Sequence, residues 1–453
     1  MKILYIIPYI PFPLQSGGNQ AFFNLANETR KEHTISLLLN VRNKEDKKNV
    51  QLLKDVWPDV TIYEFEKDYK ENVEKKESKT ADNEQQIPNR VLKEIRFFEW
   101  IRKSMERKVN RRRNKYAPTT TTTTTTRQEK PFDLGLHVRQ HSTLFYEVGK
   151  FEKEYLEYVY NVCRKGFDLI QTEFFECLPL VHLMPDNVKK VFVHHELRFI
   201  RIENEISLFN KVTAADTMLF HEVKDTEIAL LRHYDNIIVL TDTDKDILSK
   251  ELHHADIYVS PALTDAAKQK DAIPFKPARE LVFIGSGDHF PNADGVLWFA
   301  KEIAPILKEM GCDFKLNVIG KWNEETTDIV RRLSDRVHFT GFVDDLTTFI
   351  NGKISIIPIR IGSGMRMKII DSVAASAPIV TTSKGCEGLA FKDMEDYVIA
   401  DKPEEFAKAV TKVMGDNKLQ EKMTVSAGAK LKGIMNADEL IKRRMDFYRK
   451  LQA

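Results

Sequence analysis

The segment Arg360–Leu389 reads R-I-G-S-G-M-R-M-K-I-I-D-S-V-A-A-S-A-P-I-V-T-T-S-K-G-C-E-G-L. It follows the apolar run Ile354–Ile359, predicted as a strand, and contains a second, Ile379–Thr381. Between the two, Gly362 and Gly364 permit a tight turn without a Cβ penalty. A helix is predicted from about Met365 to Ser376. Strand, glycine turn, helix and strand in this order are the unit of a parallel α/β sheet. The N–H groups of such a turn and the partial positive charge of the helix start suit an anion such as a diphosphate. Arg366 and Lys368 add mobile cations at the same end. Asp371 lies farther along, where a carboxylate can accept hydrogen bonds from ribose hydroxyls. A glycine-rich turn opening a solvated basic helix has the same spacing.

The pattern extends in both directions. Leu281–Ile284, Leu316–Ile319 and Val337–Phe339 read as strands of the same series, with helical stretches between most of them. Pro261–Pro277 holds three prolines and reads as a hinge. Before it, Ile3–Ile7, Thr34–Leu39, Val60–Phe65, Asp168–Thr172, Val191–Val193 and Asn236–Leu240 form an earlier series. Continuous apolar runs suit strands covered on both faces. The chain is therefore read as α/β, with two doubly wound Rossmann-like domains facing a central cleft. Residues 1–262 form the first, with an insertion at about 66–165; 263–430 form the second; 431–453 form a C-terminal helix. In such sheets ligands bind beyond the carboxyl ends of the strands.

Composition narrows the class. Of 453 residues, 69 are Lys or Arg and 67 Asp or Glu, a formal net charge of +2, which argues against a nucleic-acid binder relying on global charge. Cys163, Cys177, Cys312 and Cys386 form no C-x-x-C pair, so neither a disulfide scaffold nor a cysteine zinc site is expected. No run reaches the ~18 apolar residues of a membrane span. Pro8, Pro11 and Pro13 break the apolar start, which reads as a buried strand rather than a signal peptide. A cytoplasmic protein is expected. Residues 66–86 are Lys/Glu-rich, and Thr119–Thr126 is a run of threonines. Between them, residues 90–115 carry eleven basic and three acidic residues. Val91, Ile95, Phe98, Ile101, Met105 and Val109 make one helical stripe there. This basic amphipathic helix has two readings: peripheral contact with an anionic membrane surface, or a helix packed on the domain by its apolar face.

Several stretches together resemble a family 4 glycosyltransferase of the GT-B fold, a class that uses nucleotide sugars with retention of configuration. G-S-G-D-H-F-P-N at Gly285–Asn292 resembles the glycine turn that opens the donor domain. F-T-G-F-V-D-D at Phe339–Asp345 resembles the T-G-F-V-D-D segment. G-S-G-M-R-M-K-I-I-D at Gly362–Asp371 resembles G-S-G-T-R-L-K-I-L-E, and Pro378–Thr382 and Gly385–Leu389 resemble P-V-V-S-T and G-A-E-G-L. The likeness covers about residues 280–430 well and the first domain thinly. Two family glutamates separated by seven residues fall on Ser363 and Asp371, so the first carboxylate is missing and the second is shortened.

The resemblance implies a UDP- or GDP-linked sugar donor and a glycan or lipid-linked acceptor, with no metal, resident cofactor or nucleic acid required. It places Gly287, Gly362, Ser363, Gly364, Met365 and Asp371 around the donor, with Phe342 and Val343 beside the base. Gly17 and Gly18 would form the facing loop, while His195, Arg366 and Lys368 carry chemistry. Arg366 and Lys368 replace basic residues expected after Ile284, where Asp288 and His289 stand. Of Val193-His194-His195-Glu196, His195 is preferred to His194, and because adjacent strand residues point to opposite faces a two-His metal site is not expected. A packed or capping histidine is its structural alternative. Glu173, Asp345 and the Thr241–Asp244 string are read first as caps. A non-catalytic GT-B binding subunit and a GT-B nucleotide-sugar epimerase are the alternative functions.

Overall fold

The computed structural model describes residues 1–14, 17–66, 131–145, 151–253, 255–265 and 273–452. The expected basic helix at 90–115 and the threonine run lie outside these. Met1–Lys67 and Asp133–Ala453 form one compact unit. Among the described residues it holds two wholly parallel sheets. The first contains β1 (Lys2–Ile6), β2 (Thr34–Val41), β3 (Thr61–Glu66), β4 (Leu169–Glu173), β5 (Lys189–His194), β6 (Asn236–Val239) and β7 (Asp256–Val259), in the order β3-β2-β1-β4-β5-β6-β7. The second contains β8 (Glu280–Ile284), β9 (Leu316–Ile319), β10 (Val337–Gly341), β11 (Lys353–Ile357), β12 (Ile379–Thr381) and β13 (Val398–Ile399), in the order β10-β9-β8-β11-β12-β13. This is the two-domain GT-B architecture anticipated above.

In both sheets the strand order reverses beside the first strand. β1 lies between β2 and β4, and β8 between β9 and β11. Loops leaving the strands there part in opposite directions and open a crevice. Gly17 follows β1, Glu173 ends β4, Gly285 follows β8, and Gly362 lies just beyond β11. The topology thus brings the glycine turns to two switch points.

Side-chain alternation explains the first core. Ile3, Tyr5 and Ile7 face one side, with Phe22 and Ala26 of the Gly17–Thr29 helix. Leu4 and Ile6 face the other, with Tyr155, Val159 and Val162 of the Lys153–Cys163 helix. That helix lies inside the expected insertion, yet it builds the core of the first sheet. The last helix, Ala437–Gln452, packs on this sheet too. Met445, Phe447, Tyr448 and Leu451 join the Ile3 side, and Phe447 stacks on Tyr258 at 4.9 Å between ring centroids.

The structure adds β7 and β13, which the sequence reading omitted. It also ends β11 at Ile357, before Pro358, which has no N–H to give a ladder. The helix after the glycine turn spans Met367–Ala374, shorter than expected at both ends. Among the described residues, no helix is long and apolar enough to cross a membrane.

Candidate active site

The first domain presents the carboxyl ends of β1, β4 and β5. The Tyr9 hydroxyl donates to the Gly18 carbonyl at 3.1 Å, and Asn19 Nδ2 donates to the carbonyls of Ile10 and Pro13. These bonds fix the loop that carries Gly17. A Cβ added to Gly17 would touch the Met367 side chain at 3.4 Å, so this turn faces the start of the Met367–Ala374 helix.

His194 and His195 part company at the end of β5. His194 is buried, with Nε2 2.7 Å from Glu227 Oε1. The Glu227 carboxylate also accepts the N–H groups of Arg198 and Phe199, capping the Arg198–Ser207 helix. His194 is therefore a structural residue. His195 turns to the other side, and its Nε2 lies 2.8 Å from Glu173 Oε2. A carboxylate only accepts, so Nε2 carries the proton and Nδ1 is left for another partner. The Phe174 ring lies parallel to the imidazole at 3.9 Å. Phe174 holds φ at 67°, a left-handed conformation uncommon outside glycine.

The second domain answers with the turn Gly362-Ser363-Gly364. Gly364 has φ 78°, and a Cβ there would run into the His195 carbonyl oxygen. Only glycine allows this approach. The turn is stapled to the first domain. Gly362 donates its N–H to Asn204 Oδ1 at 3.2 Å, and Ser363 Oγ accepts the Leu197 N–H at 2.6 Å. The expectation that the turn's N–H groups are open to an anion is corrected at Gly362, whose N–H is occupied by Asn204 across the cleft. The surface left to an anion begins at Met365 and Arg366. Arg366 is the N-cap of the following helix and makes no side-chain cap bond.

Arg366 is not a mobile cation. Its Nε donates to the Lys384 carbonyl at 2.9 Å and its Nη1 to the Ser363 carbonyl at 3.0 Å. Nη2 lies 3.6 Å from Glu387 and is buried without a hydrogen-bond partner. Lys368 is half-buried beside the Phe283 ring, 5.7 Å from its centroid. Desolvation, reinforced by Arg366 and opposed by Asp371, lowers its ammonium to about 8. Desolvation raises the Asp371 carboxyl to about 7, with Asp265 adding to the rise and Lys368 opposing it. The two groups titrate close to neutrality in one crevice.

Glu196 sits where the domains meet, with Oε1 3.1 Å from the place of a Gly362 Cβ. Desolvation works against its charge, but Arg201, with His289 and Arg198, outweighs it and holds the carboxyl down at about 2. Arg201 Nη1 donates to it at 3.1 Å.

The remaining predicted residues line the edge formed by β8, β9 and β10. Gly285 has φ 155°, and a Cβ there would strike Asn292, whose Nδ2 donates to the Ser286 carbonyl at 2.8 Å. Gly287 lies against the Trp322 ring and donates its N–H to the Lys321 carbonyl. Phe342 is 68% exposed, whereas Val343 packs against the small core around Ile319 and Ile350. Asp345 accepts the Thr348 N–H, and Thr241 accepts the Asp244 N–H; both are helix caps.

Gly17, His195, Gly362, Ser363, Gly364 and Arg366 thus meet where the domains touch, with Met365 between Gly364 and Arg366 and with Lys368 and Asp371 on the helix that follows. Gly287, Phe342 and Val343 stand apart along the sheet edge. Sequence reading missed the roles of Glu173, taken as a cap, and of Glu196. The usable signal for Glu173 was its place at the end of an apolar strand, beside the strand that delivers His195.

Residues 278–416 match the model of the family Glycosyl transferases group 1. A comparison with curated proteins returns no match. Among solved structures, TarM of S. aureus aligns with TM-score 0.63 at 9% identity, covering 98% of both chains. A TarM mutant complex with Fondaparinux, alpha-GlcNAc-glycerol and UDP aligns with TM-score 0.62, also at 9% identity, over 98% of this chain and 99% of that one. Anabaena HepE, bound to UDP and glucose, aligns with TM-score 0.57 at 10% identity over 99% of each. Sucrose-phosphate synthase from Thermosynechococcus elongatus gives 0.59 at 12% identity over 100% and 99%. The chain has the GT-B fold of glycosyltransferases, and its second domain carries the segment that matches glycosyl transferases group 1.

Proposed function

We propose that this protein is a retaining glycosyltransferase that moves a sugar from a nucleotide-diphosphate donor to a glycan or lipid-linked acceptor. One observation carries the reading: at the facing switch points, His195 and the glycine turn of the first domain meet the Arg366–Lys368 helix start of the second. UDP is the favoured nucleotide, since TarM and HepE are both seen with it. The donor diphosphate lies against the helix start at Met365–Lys368. Negative charge grows on the β-phosphate as the glycosidic bond breaks. Lys368 and the Arg366 guanidinium, whose Nη2 has no hydrogen-bond partner, stabilise that charge more in the transition state than in the ground state. These two cations do the work that a metal does elsewhere, so transfer needs none.

Asp371 holds the ribose. His195, with Nε2 committed to Glu173, offers Nδ1 to a sugar hydroxyl. No carboxylate stands assigned as a nucleophile, and retention then proceeds on one face, the departing phosphate taking the acceptor proton. Contact between the domains excludes water that would hydrolyse the donor. The protein works in the cytoplasm on a cell-surface glycan or its precursor, and residues 90–115 supply any peripheral hold on the membrane.

Isothermal titration of UDP and GDP into the wild type, Arg366→Ala and Lys368→Ala tests the cradle. Each variant is expected to bind about 10–100-fold more weakly, the worth of one charge-assisted hydrogen bond. Unchanged affinity would move the donor elsewhere.

A second reading, a binding subunit without turnover, is favoured by the engagement of the Gly362 N–H with Asn204. Release of UDP from a UDP-sugar, dependent on His195, excludes it.

A further inference from the structure

A buried line of hydrogen bonds runs from the last helix to His195. Glu173 is 4% exposed and takes the His195 Nε2–H on Oε2 at 2.8 Å. Its Oε1 takes the Gln171 side-chain N–H at 2.6 Å. Gln171, two residues back on β4 and so on the same face, turns its Oε1 to the Tyr448 hydroxyl at 2.8 Å. The Tyr448 hydroxyl lies 3.2 Å from that of Tyr5.

The carboxylate fixes the direction of every proton. Because Glu173 only accepts, His195 and Gln171 both donate to it. Gln171 therefore presents its oxygen to Tyr448, which donates, and the Tyr448 oxygen is left to accept from Tyr5. One turn earlier on the last helix, buried Arg444 donates from Nε to Ser260 Oγ at 3.0 Å, which holds the helix in register. Tyr448 comes from a helix 277 residues away from Gln171 in sequence, and it arrives by packing on the first sheet.

We propose that Tyr448 and Gln171 are positioning residues for His195, acting through Glu173, so that docking of the last helix completes the site of the first domain. Glu173 sets which ring nitrogen carries the proton, and Phe174 sets the plane of the ring. Gln171 keeps Glu173 from rotating away, and Tyr448 keeps Gln171 from turning its amide over. Each link sits in a low-dielectric interior where an unmet polar group is costly, so the line has one stable arrangement. The proposal rests on His195 acting at the site.

The test uses the full chain with nitrogen-15-labelled histidine, the His195 ring signals being assigned by their loss in His195→Gln. Wild type, Tyr448→Phe, Gln171→Met and His195→Ala are compared by ring nitrogen shifts, UDP affinity, and UDP release from UDP-glucose and UDP-N-acetylglucosamine. The wild type should show His195 as a single tautomer protonated at Nε2. Tyr448→Phe should average the two ring nitrogen signals and lower kcat about 3–10-fold, the worth of one buried hydrogen bond, with KM and UDP affinity unchanged. Gln171→Met should do the same more strongly, and it carries the test if Tyr448→Phe does not fold. A lower melting temperature with wild-type ring signals and kcat would show that the line only stabilises the fold, and would overturn the proposal. If His195→Ala turns over like the wild type, the role of His195 falls instead, a result separable from the ring signals.

Discussion

The two sheets meet the cleft with different chemistry. At the edge of the first, one polar side chain backs the next: His195 by Glu173, Glu173 by Gln171, Gln171 by Tyr448. At the edge of the second, backbone does most of the work. Gly362 and Gly364 let two stretches of the chain touch, the following helix starts without a side-chain cap, and one Arg366 nitrogen has no hydrogen-bond partner. The first edge is built to hold one side chain in one state. The second is built to be approached closely and, in the proposed transferase, receives negative charge. A transferase needs both, one to orient reacting hydroxyls and one to bind the leaving diphosphate.

The largest effect is expected where the two edges touch. Gly364→Val puts a branched side chain at φ 78° into the His195 carbonyl. Stability should fall by at least about 2 kcal/mol and UDP release should vanish, read by thermal melting and turnover. A variant that melts and turns over like the wild type would mean that the domains do not meet here.

The adjacent histidines sharpen the contrast next. His195→Ala should cut turnover about 100-fold or more while UDP binding and melting stay the same. His194→Ala should do the reverse. It strips a partner from buried Glu227 and costs about 1–3 kcal/mol of stability, with turnover per folded molecule retained. Exchange of these two outcomes would reverse the assignment.

A smaller effect concerns pH and belongs to the second edge alone. Lys368 is cationic below about 8 and neutral above it. Asp371 loses its proton through about 7 and adds negative charge in the same crevice. Both changes oppose a diphosphate as pH rises, so UDP should bind roughly tenfold more weakly at pH 9 than at pH 7. In Lys368→Arg, which stays charged, titration across this range should show a shallower decline.

Much of the frame was legible in sequence because parallel sheets write themselves locally. Runs such as Ile3–Ile7 and Leu281–Ile284 are apolar throughout, since both faces are covered, and glycines mark the turns beyond them. β7 went unseen because it is a partly buried edge strand that opens on Asp256, and β13 because two residues show no pattern. The separation of His194 from His195 followed from strand alternation. The employment of the Gly362 N–H was not legible, because Asn204 lies more than a hundred residues away and no local pattern pairs them. Arg366 read as a free cation for the same reason: the carbonyls of Ser363 and Lys384 that hold it are backbone groups, which any sequence supplies. Tyr448 was invisible as a site residue, since an aromatic on an amphipathic helix looks like core, which it also is.

The central claim is that a nucleoside diphosphate binds at the Arg366–Lys368 helix start facing His195. Titration of UDP into the wild type and into Lys368→Ala measures it most directly. Saturable one-to-one binding by the wild type, weakened about 10–100-fold by the substitution, is the expected result. Equal affinity in the two proteins, or no binding by the wild type, would contradict it.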